Sequence, residues 1–548
     1  MSNQLLDSPK ITDLSLRIEE STRATEDTIK RFVEPASGTL ERAKSRRHHM
    51  VFGRRGSGKT SLLKKAANDL TLDRRPIAYV DLESFKGHPY PDVLLSILIK
   101  TFSEFSRWLE TAAIHPQTKK SFWKLFGSEP NRPPFNKEKA QQLVKELKDQ
   151  VDELSQLLYA PDGVEITQRI RSGEEISKEK AVGVGVQAKV ASISGQASNK
   201  TTNSQGREVE SRYVDSKTDF LRRHIMDYQN IFKRMSDLSG DDSFLFLDDL
   251  YHIPRSDQAR VIDYFHSIGK GNNLWLKIGT IRHRTEWYIH GDPPIGMKLG
   301  DDADEIDLDL SLEKYPLAKD FLAKILIRFF DEGGIPLKDI LVEESVDRLV
   351  LASGGVARDF LGIFRRSIDF ARTHDTKHRG QKIGIEDVNH AAGDYDSSKR
   401  EELRRDTLDD NSVLESEFKK VRDFCVKRAK ANVFLVDKDE NKDRFELIQE
   451  LMDLRLIHKV SSRVTVSKRP SRIFEAYMLD LSQYTGSRKM RDMRIVEFWR
   501  QGRSDQLRLV SMVYDPDAPI VDDDVDSEIL AKPVKTRKKK GWVQDELI

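Results

Sequence analysis

Short apolar runs alternate with helix-like stretches along much of the chain. These runs occupy residues 50–52, 77–80, 244–247 and 274–278. They are apolar at nearly every position, which is typical of strands buried on both faces of a parallel sheet. The segments between them are long enough to hold crossover helices. The pattern therefore predicts an α/β fold built on a parallel sheet.

Helical periodicity is clearest in residues 356–372. Phe360, Phe364, Ile368 and Ala371 recur there close to the helical repeat, so we expect them to face a core. Farther along, residues 396–490 predict a helix, a short strand, a second helix and two strands around a basic turn. This order of elements is typical of a winged-helix domain.

The segment between the strands at 77–80 and 244–247 is far longer than an ordinary connection. In residues 137–159, apolar positions repeat as in a heptad seam, and Asn136 is a candidate N-cap. Two interpretations stay open for this helix: a coiled hairpin for a partner, and a helix packed on its own domain. The seam residues are Ala140, Val144, Leu147, Val151, Leu154 and Leu158.

Small apolar residues alternate strictly with other residues from Val182 to Val190, which favours a β-strand. An unpaired strand there would offer an edge for docking. The flanking Ser, Thr, Asn, Gln and Gly residues also fit a hairpin or a linker. Both interpretations stay open.

Composition narrows the class of protein. The chain has 548 residues, which suggests about three or four domains. Lys and Arg number 92 against 90 Asp and Glu, so bulk charge does not indicate a nucleic-acid binder. Cys425 is the single cysteine, which excludes an intrachain disulfide, and its apolar helix face predicts core packing. A chain with one cysteine suits a reducing cytosol, and no apolar run is long enough for a membrane span, so we expect a cytoplasmic protein.

A glycine-rich segment follows the first apolar run and precedes a helix-like pattern. Residues 53–60 match the phosphate-loop pattern G-x-x-x-x-G-K-[ST]. Glycines let such a backbone wrap around phosphate oxygens at a helix N-terminus. We expect Lys59 to contact the β- and γ-phosphates of ATP, and Thr60 to hold Mg²⁺. The predicted nucleotide-binding residues are Gly53, Arg54, Arg55, Gly56, Ser57, Gly58, Lys59, Thr60 and Ser61.

Acidic and polar residues follow two later runs at the edge where ligands bind in open α/β sheets. Asp248 and Asp249 come directly after the run at 244–247. We expect Asp248 to complete the Mg²⁺ site and Asp249 to orient or deprotonate the attacking water. Thr280 and Arg282 follow the run at 274–278 and are candidate sensors of the γ-phosphate.

The phosphate loop, "FLFLDD" and "LKIGTIR", in that order, resemble AAA+ and STAND ATPases. Residues 345–371 and 383–392 are similar to the helical lid of the origin-recognition branch of AAA+. In that branch, a Gly-x-x-Arg near a helix start supplies a second sensor, and the match here falls on Gly354 or Gly355 with Arg358. The resemblance implies that ATP and Mg²⁺ bind between the sheet and the lid.

The resemblance also implies a homo-oligomer in which a neighbouring subunit supplies an arginine finger. The sequence offers several candidates and does not choose among them. They are Arg54, Arg55, Arg282 and Arg284.

Basic residues near the C-terminus offer contacts for DNA. Five of them lie along the wing of the predicted winged helix: Lys459, Arg463, Lys468, Arg469 and Arg472. A second group follows an acidic stretch in the tail: Lys535, Arg537, Lys538, Lys539 and Lys540. Phosphate contact is one interpretation of both groups. A solvated face for the first, and pairing with the acidic stretch for the second, are the alternatives.

The whole pattern predicts an α/β protein with a P-loop parallel sheet, a helical lid, a helical or coiled insertion and a C-terminal winged helix. Its expected parts are an N-terminal helical segment (1–36), a nucleotide-binding domain (37–100 with 215–300), an insertion (101–214), a lid (301–395), a winged-helix-like domain (396–490) and a charged tail (491–548).

Our main functional hypothesis is a switch that binds and hydrolyses ATP and regulates a separate effector protein, in bacterial antiphage defence or on DNA. One alternative is a DNA-binding ATPase that resembles a replication initiator or loader. The other is a nucleotide-bound scaffold that does not hydrolyse ATP. The sequence contains no recognisable effector motif, which is why a separate effector is expected.

Overall fold

The computed structural model describes most of the chain. The described residues are 5–21, 25, 28–114, 135–160, 165–172, 207–214, 216–270, 273–373, 382–406, 411–439, 441–466, 469–485, 492–500 and 503–515. The alternating segment 182–190, Lys468 and the basic tail therefore lie outside the described residues.

Helices and strands alternate in the first half of the chain. In order they are α1 (Pro9–Glu20), α2 (Thr39–Lys44), β1 (His48–Phe52), α3 (Lys59–Leu72), β2 (Ile77–Asp81), α4 (Asp92–Leu109), α5 (Lys137–Tyr159), β3 (Glu165–Ser172), β4 (Arg207–Val214), α6 (Lys217–Arg223), α7 (Ile225–Ser239), β5 (Ser243–Asp248), α8 (Arg255–Gly269) and β6 (Leu274–Thr280).

The second half is mainly helical before it ends in a small sheet. Its elements are β7 (Tyr288–Ile289), β8 (Ile295–Gly296), β9 (Ala303–Asp307), α9 (Tyr315–Gly333), α10 (Leu337–Ile340), α11 (Glu343–Ser353), α12 (Ala357–Thr373), α13 (Ile385–Asp406), α14 (Asn411–Asp423), β10 (Val433–Asp437), α15 (Lys442–Asp453), β11 (Ile457–Val466) and β12 (Arg469–Leu479).

A five-stranded sheet in the order β2-β5-β6-β1-β9 forms the centre of the nucleotide-binding domain. Each neighbouring pair is parallel, so the carboxyl ends of all the strands lie along one edge. The four predicted strands are confirmed, and β5 is buried along its whole length. The predicted α/β fold class is therefore confirmed.

Strand β9 corrects the predicted start of the lid at residue 301. It pairs with β1 along its whole length and belongs to the central sheet. The sequence pattern did not predict it because three of its five residues are acidic. As an edge strand it buries Ala303 and Ile306 but leaves its acidic side chains accessible.

Helix α4 packs on the central sheet, and α5 packs on α4 and α7, which decides between the two interpretations of the heptad seam. Leu143, Leu147 and Leu154 of α5 are buried in the same core as the sheet and α4. The Asn136 side chain accepts a hydrogen bond from the Lys139 backbone at 3.1 Å, which confirms the N-cap. The helical part of the predicted insertion is thus part of the nucleotide-binding domain.

The N-terminal helix α1 packs on the lid helices α9 and α12. Its buried residues Ile11, Leu14 and Ile18 belong to the lid core. Arg31 reinforces this contact through an ion pair with Glu332 at 2.8 Å. The N-terminal segment therefore forms one unit with the lid, although the sequence placed it apart.

The lid consists of helices α9 to α13. The predicted core face of α12 is confirmed, since Phe360, Phe364, Ile368 and Ala371 are all buried. Helix α13 continues without a break past residue 395, where the sequence predicted a domain boundary. Residues 396–406 therefore belong to a lid helix, although the sequence placed them in the winged-helix-like domain.

The C-terminal domain has the predicted winged-helix order of elements, α14, β10, α15, β11 and β12. Its antiparallel sheet has the order β10-β12-β11. Cys425 is buried in its core, which confirms the packing role. The predicted charged tail starts too early, because Val496, Met512 and Tyr514 are buried against this domain.

No helix among the described residues combines the length and the apolar character that a membrane crossing requires.

Candidate nucleotide-binding site

The glycine-rich loop joins the end of β1 to the start of α3. Gly56 and Gly58 have φ angles of 85° and 100°, a left-handed conformation that favours glycine. A Cβ atom at Gly53 would lie 2.3 Å from the Ser57 hydroxyl oxygen, so only glycine fits there. That hydroxyl is buried and has no hydrogen-bond partner among the described residues. The loop thus has the backbone shape and a spare polar group for holding phosphate oxygens.

Lys59 lies inside this loop. Its ammonium group donates hydrogen bonds to the carbonyl oxygens of Gly53 at 2.9 Å and Arg54 at 3.3 Å. Burial lowers the pKa of Lys59, although the nearby Asp249 and Asp248 favour its charged form. A buried ammonium group that can donate hydrogen bonds to several acceptors is well placed to bind a polyanion.

Asp248 is held by neighbours on three sides. The Tyr79 hydroxyl donates a hydrogen bond to it at 2.5 Å, and the Asp249 backbone N–H donates another at 3.0 Å. The Thr60 hydroxyl also hydrogen-bonds to it. Burial and the charge of Asp249 raise the pKa of Asp248 to about 6, although the hydrogen bonds oppose the shift. Thr60 and Asp248 therefore bring together two oxygen ligands of the kind that Mg²⁺ prefers.

Strand β6 lies between β1 and β5, so its end separates the phosphate loop from the two aspartates. Gly279 near this end leaves space for Asp248. A Cβ atom at residue 279 would lie 2.6 Å from Asp248 Oδ1 and 2.8 Å from a methyl carbon of Leu63. The absence of a side chain at 279 thus lets the carboxylate sit beside the first turn of α3.

Asp249 occupies a special backbone position. Its φ of 58° places it in the left-handed region, which few residues other than glycine adopt and which Asp and Asn tolerate best. Burial raises the pKa of Asp249, while the nearby Lys59 opposes the shift. The sharp turn after β5 directs a second carboxylate toward the Lys59 side of the sheet edge.

The two candidate sensors on β6 make contacts within the protein. Thr280 is fully buried, and its hydroxyl lies 2.5 Å from the Thr285 hydroxyl. Arg282 forms ion pairs with Glu305 at 3.0 Å and Asp307 at 3.4 Å on the edge strand β9. The sensor roles of both residues stay predictions, and these contacts favour a structural role for them.

Arg358 lies directly over the phosphate loop. Its backbone N–H donates a hydrogen bond to the Gly56 carbonyl oxygen at 3.2 Å. A Cβ atom at Gly56 would lie 2.7 Å from the Cβ of Arg358 and 3.2 Å from Val356. The first turn of α12, which carries the candidate second sensor, is therefore packed against the phosphate loop.

Arg54 does not fit its predicted role as an arginine finger. It is buried, and its guanidinium group donates to the Gly354 carbonyl oxygen at 3.1 Å and pairs with Asp309 at 3.2 Å. Its backbone N–H donates to the same Asp309 oxygen at 2.8 Å. The side chain links the phosphate loop to the lid of its own chain and is not available to a neighbouring subunit.

The basic residues predicted to contact DNA divide into two groups. Lys459 pairs with Glu475 at 2.8 Å, and Arg472 pairs with Asp437 at 2.9 Å. Arg463 is exposed on β11. The predicted basic surface is thus partly neutralised by acidic residues of its own domain.

Sequence reasoning missed Tyr79, Gly279 and Asp309. The glycine near the end of an apolar strand is a pattern that can indicate close approach by another group. Tyr79 alternates with buried residues on β2, which gives no sign of a hydrogen bond to Asp248. Asp309 contacts Arg54 across 255 residues of sequence, so no local pattern could identify it.

No protein-family model matches the sequence, and no curated protein matches it either. Among solved structures, the chain is similar to the Orc1 protein of Aeropyrum pernix in complex with DNA, at 14% sequence identity and a TM-score of 0.32. The similarity covers 83% of this chain and 91% of that chain. At this level the likeness carries no argument about function, which must come from the geometry of the site.

Proposed function

We propose that this protein binds ATP with Mg²⁺ at the loop between β1 and α3 and hydrolyses it as a P-loop ATPase. The observation that carries the proposal is the convergence of Lys59, Asp248 and Arg358 on one loop. They come from α3, β5 and the lid, and only a phosphate-rich ligand with a cation uses all three.

In this proposal, the loop backbone and Lys59 hold the phosphates, and Thr60 and Asp248 hold the metal ion. Bound Mg²⁺ neutralises charge that develops on the transferred phosphoryl group. Asp249 accepts the proton of the attacking water or orients that water. Arg358 contacts the terminal phosphate and keeps the lid closed on the loop. Loss of that phosphate frees Arg358 and lets the lid move.

A binding and turnover assay on the full chain tests the proposal directly. We expect saturable ATP binding that strengthens with Mg²⁺, and release of inorganic phosphate. Binding without release would favour the non-hydrolysing scaffold instead. No detectable binding of any nucleoside triphosphate at millimolar concentration would reject both.

The pH dependence of metal binding follows from the carboxyl group of Asp248. Its pKa is raised to about 6, and only the carboxylate binds the metal, so protons compete with Mg²⁺ below that pH. We expect the apparent Mg²⁺ affinity to fall by about tenfold per pH unit below pH 6, and to level off above about pH 7. Titrations of Mg²⁺ into protein with a fluorescent ATP analogue measure this.

The triphosphate itself titrates in the same range, so the control is the Asp248→Asn variant. It keeps the size and shape of the side chain but removes the titrating group, with one of its two acceptor oxygens replaced by an NH2 donor. Only the difference between the two pH profiles measures the contribution of the Asp248 carboxyl group. Identical profiles for wild type and variant would contradict the metal role.

We propose further that the ATPase acts on DNA, as a replication-initiator or loader-like protein would. The winged-helix order of the C-terminal domain and the exposed Arg463 on β11 support this. The basic residues of the tail, 535–540, add a second group of candidate phosphate contacts. The pairing of Lys459 and Arg472 reduces the basic surface, so we expect the tail to contribute much of the affinity.

Removal of residues 532–540 should therefore weaken binding to duplex DNA and flatten its salt dependence. Each lost phosphate contact should lower the slope of log K against log salt concentration by about one. Fluorescence anisotropy with a labelled duplex at several salt concentrations measures this. Removal of the acidic residues 521–528 is the matched control and should leave binding equal or stronger. Undetectable DNA binding by the full chain at low salt would reject the DNA proposal.

The predicted partners lead to two further proposals, a homo-oligomer and a separate effector protein. The sequence does not choose the arginine that acts in trans, and Arg54 and Arg282 make contacts within the chain. A role in antiphage defence has no support in the described residues and is not part of the proposal.

A further inference from the structure

A chain of buried charges connects the lid to the C-terminal domain. Arg455 pairs with Asp359 at 2.5 Å, and Lys399 lies 3.4 Å from the same carboxylate. Lys399 pairs in turn with Asp480 at 2.7 Å, and His458 contacts Asp480 at 2.9 Å. All five side chains are buried.

The members of this chain come from two units. Asp359 and Lys399 belong to the lid helices α12 and α13, whereas Arg455, His458 and Asp480 belong to the C-terminal domain. Burial alone would raise the pKa of Asp359, but Arg455 and Lys399 lower it overall. Asp359 and Lys399 of the lid thus each form their shortest ion pair with a residue of the C-terminal domain, Arg455 and Asp480 respectively. Separation of the two units would leave buried charges unpaired, which is strongly unfavourable unless water enters.

The same interface reaches the phosphate loop through one glycine. Gly354 has a φ of 57°, and a Cβ atom there would lie 1.9 Å from Nδ1 of His458. Its carbonyl oxygen accepts the hydrogen bond from Arg54 of the loop at 3.1 Å. Gly354 thus lies between the loop and the C-terminal domain and contacts both.

The first turn of α12 joins the two sets of contacts. Arg358 contacts Gly56 of the loop through its backbone N–H, and the next residue, Asp359, forms the ion pair with Arg455. Because Asp359 and Arg358 are adjacent on one helical turn, the residue that pairs with Arg455 shares its backbone with the residue that contacts the loop. The turn that carries Arg455 lies between α15 and β11, and Arg455 itself has a φ of 64°.

We propose that Arg455 is a positioning residue for Arg358, so that ATP binding and the seating of the C-terminal domain on the lid depend on each other. This inference rests on the proposed function, because it assigns Arg358 to the terminal phosphate. Linkage requires that the effect be reciprocal: whatever loosens the interface weakens ATP binding, and ATP tightens the interface. ADP lacks the phosphate that Arg358 contacts. ADP should therefore tighten the interface less than ATP does, and its binding should depend less on the interface.

Variants of Arg455 in the full chain test one direction of this linkage. We expect Arg455→Ala to weaken ATP binding by about tenfold, within the usual range of coupling between sites, and ADP binding much less. Arg455→Lys keeps the charge and should restore part of the ATP preference. Lys427→Ala, which removes an exposed ion pair with Asp423 in the same domain, is the matched control and should leave both affinities unchanged.

The double variant Asp359→Asn/Arg455→Met protects the test against misfolding, because it removes both charges instead of leaving one buried and unpaired. It too should lose the preference for ATP over ADP. Thermal melts of each variant establish that the protein is folded before affinities are compared. Folded variants with the wild-type ratio of ATP to ADP affinity would overturn the inference.

Hydrogen exchange in the wild-type chain tests the other direction and requires no variant. We expect ATP with Mg²⁺ to slow amide exchange in residues 454–458, and ADP to slow it less. Equal exchange with ATP, with ADP and without nucleotide would overturn the inference even if the variants cannot be purified. Failure of the proposed function is a different result, namely that the wild-type chain binds no ATP.

Discussion

Replacement of Lys59 by alanine is expected to weaken ATP binding by about a hundredfold or more. The ammonium group would donate at least two charge-assisted hydrogen bonds to the phosphates, each worth about 1.5 kcal/mol or more. Since about 1.4 kcal/mol corresponds to tenfold in affinity, their loss gives about this factor. Isothermal titration with ATP and Mg²⁺ on wild type and variant measures it.

The fold should survive this substitution. Burial lowers the pKa of Lys59, so the ligand-free protein holds its charged form at a cost. Removal of the buried charge relieves that cost, and we expect a melting temperature equal to or above that of wild type. Unchanged ATP affinity in Lys59→Ala would reject the site.

Lys65 provides a matched control on the same helix. It is partly exposed and pairs with Asp69 at 2.8 Å, one turn farther along α3. Its replacement by alanine removes a lysine and a surface pair worth about 0.3–0.5 kcal/mol. We expect wild-type ATP affinity, which would show that the loss in Lys59→Ala depends on the position of the charge.

The Asp249→Asn variant is expected to keep ATP binding and to lose turnover by about a hundredfold or more, the usual effect of removing a general base. Asparagine is nearly the same size and tolerates the left-handed conformation that residue 249 adopts, so the backbone should not change. What changes is the ability to accept a proton from water. Phosphate release at saturating ATP measures this loss.

Asp248→Asn is the comparison for this variant, because the neighbouring carboxylate is assigned to the metal. It should weaken the Mg²⁺-dependent part of ATP binding, whereas Asp249→Asn should leave that part intact. Full turnover in Asp249→Asn would move the base to another residue. Loss of metal-dependent binding in Asp249→Asn alone would exchange the roles of the two aspartates.

The sequence was sufficient to predict those elements that have a recognisable local pattern of residues. The phosphate loop, the four apolar strands and the core face of α12 were predicted because backbone conformation and burial follow from spacing over a few residues. Strand β9 was missed because an acidic edge strand lacks the apolar run of a central one. The tail was placed too early because its apolar residues, Val496 and Tyr514 among them, form short clusters outside any long helix or strand and are buried by docking on the C-terminal domain.

Side-chain roles within the site were harder to predict. Arg54 looked like any exposed arginine in a glycine-rich loop, yet its partner Gly354 is 300 residues away in the sequence. Arg282 occupies the expected place at the end of β6, but β9, which was not predicted, supplies the acidic partners that hold it.

The sequence by itself determined that the chain has a phosphate loop on a parallel sheet, with two aspartates at the same edge. It could do so because these features depend on residues that are close together along the chain. Only the tertiary structure decided that α5 packs on α4 within the nucleotide-binding domain, and that Arg54 and Arg455 join the loop, the lid and the C-terminal domain. Such contacts depend on which distant surfaces meet in the fold, and charge or apolar spacing does not identify a partner 96 residues away, as Asp359 is from Arg455.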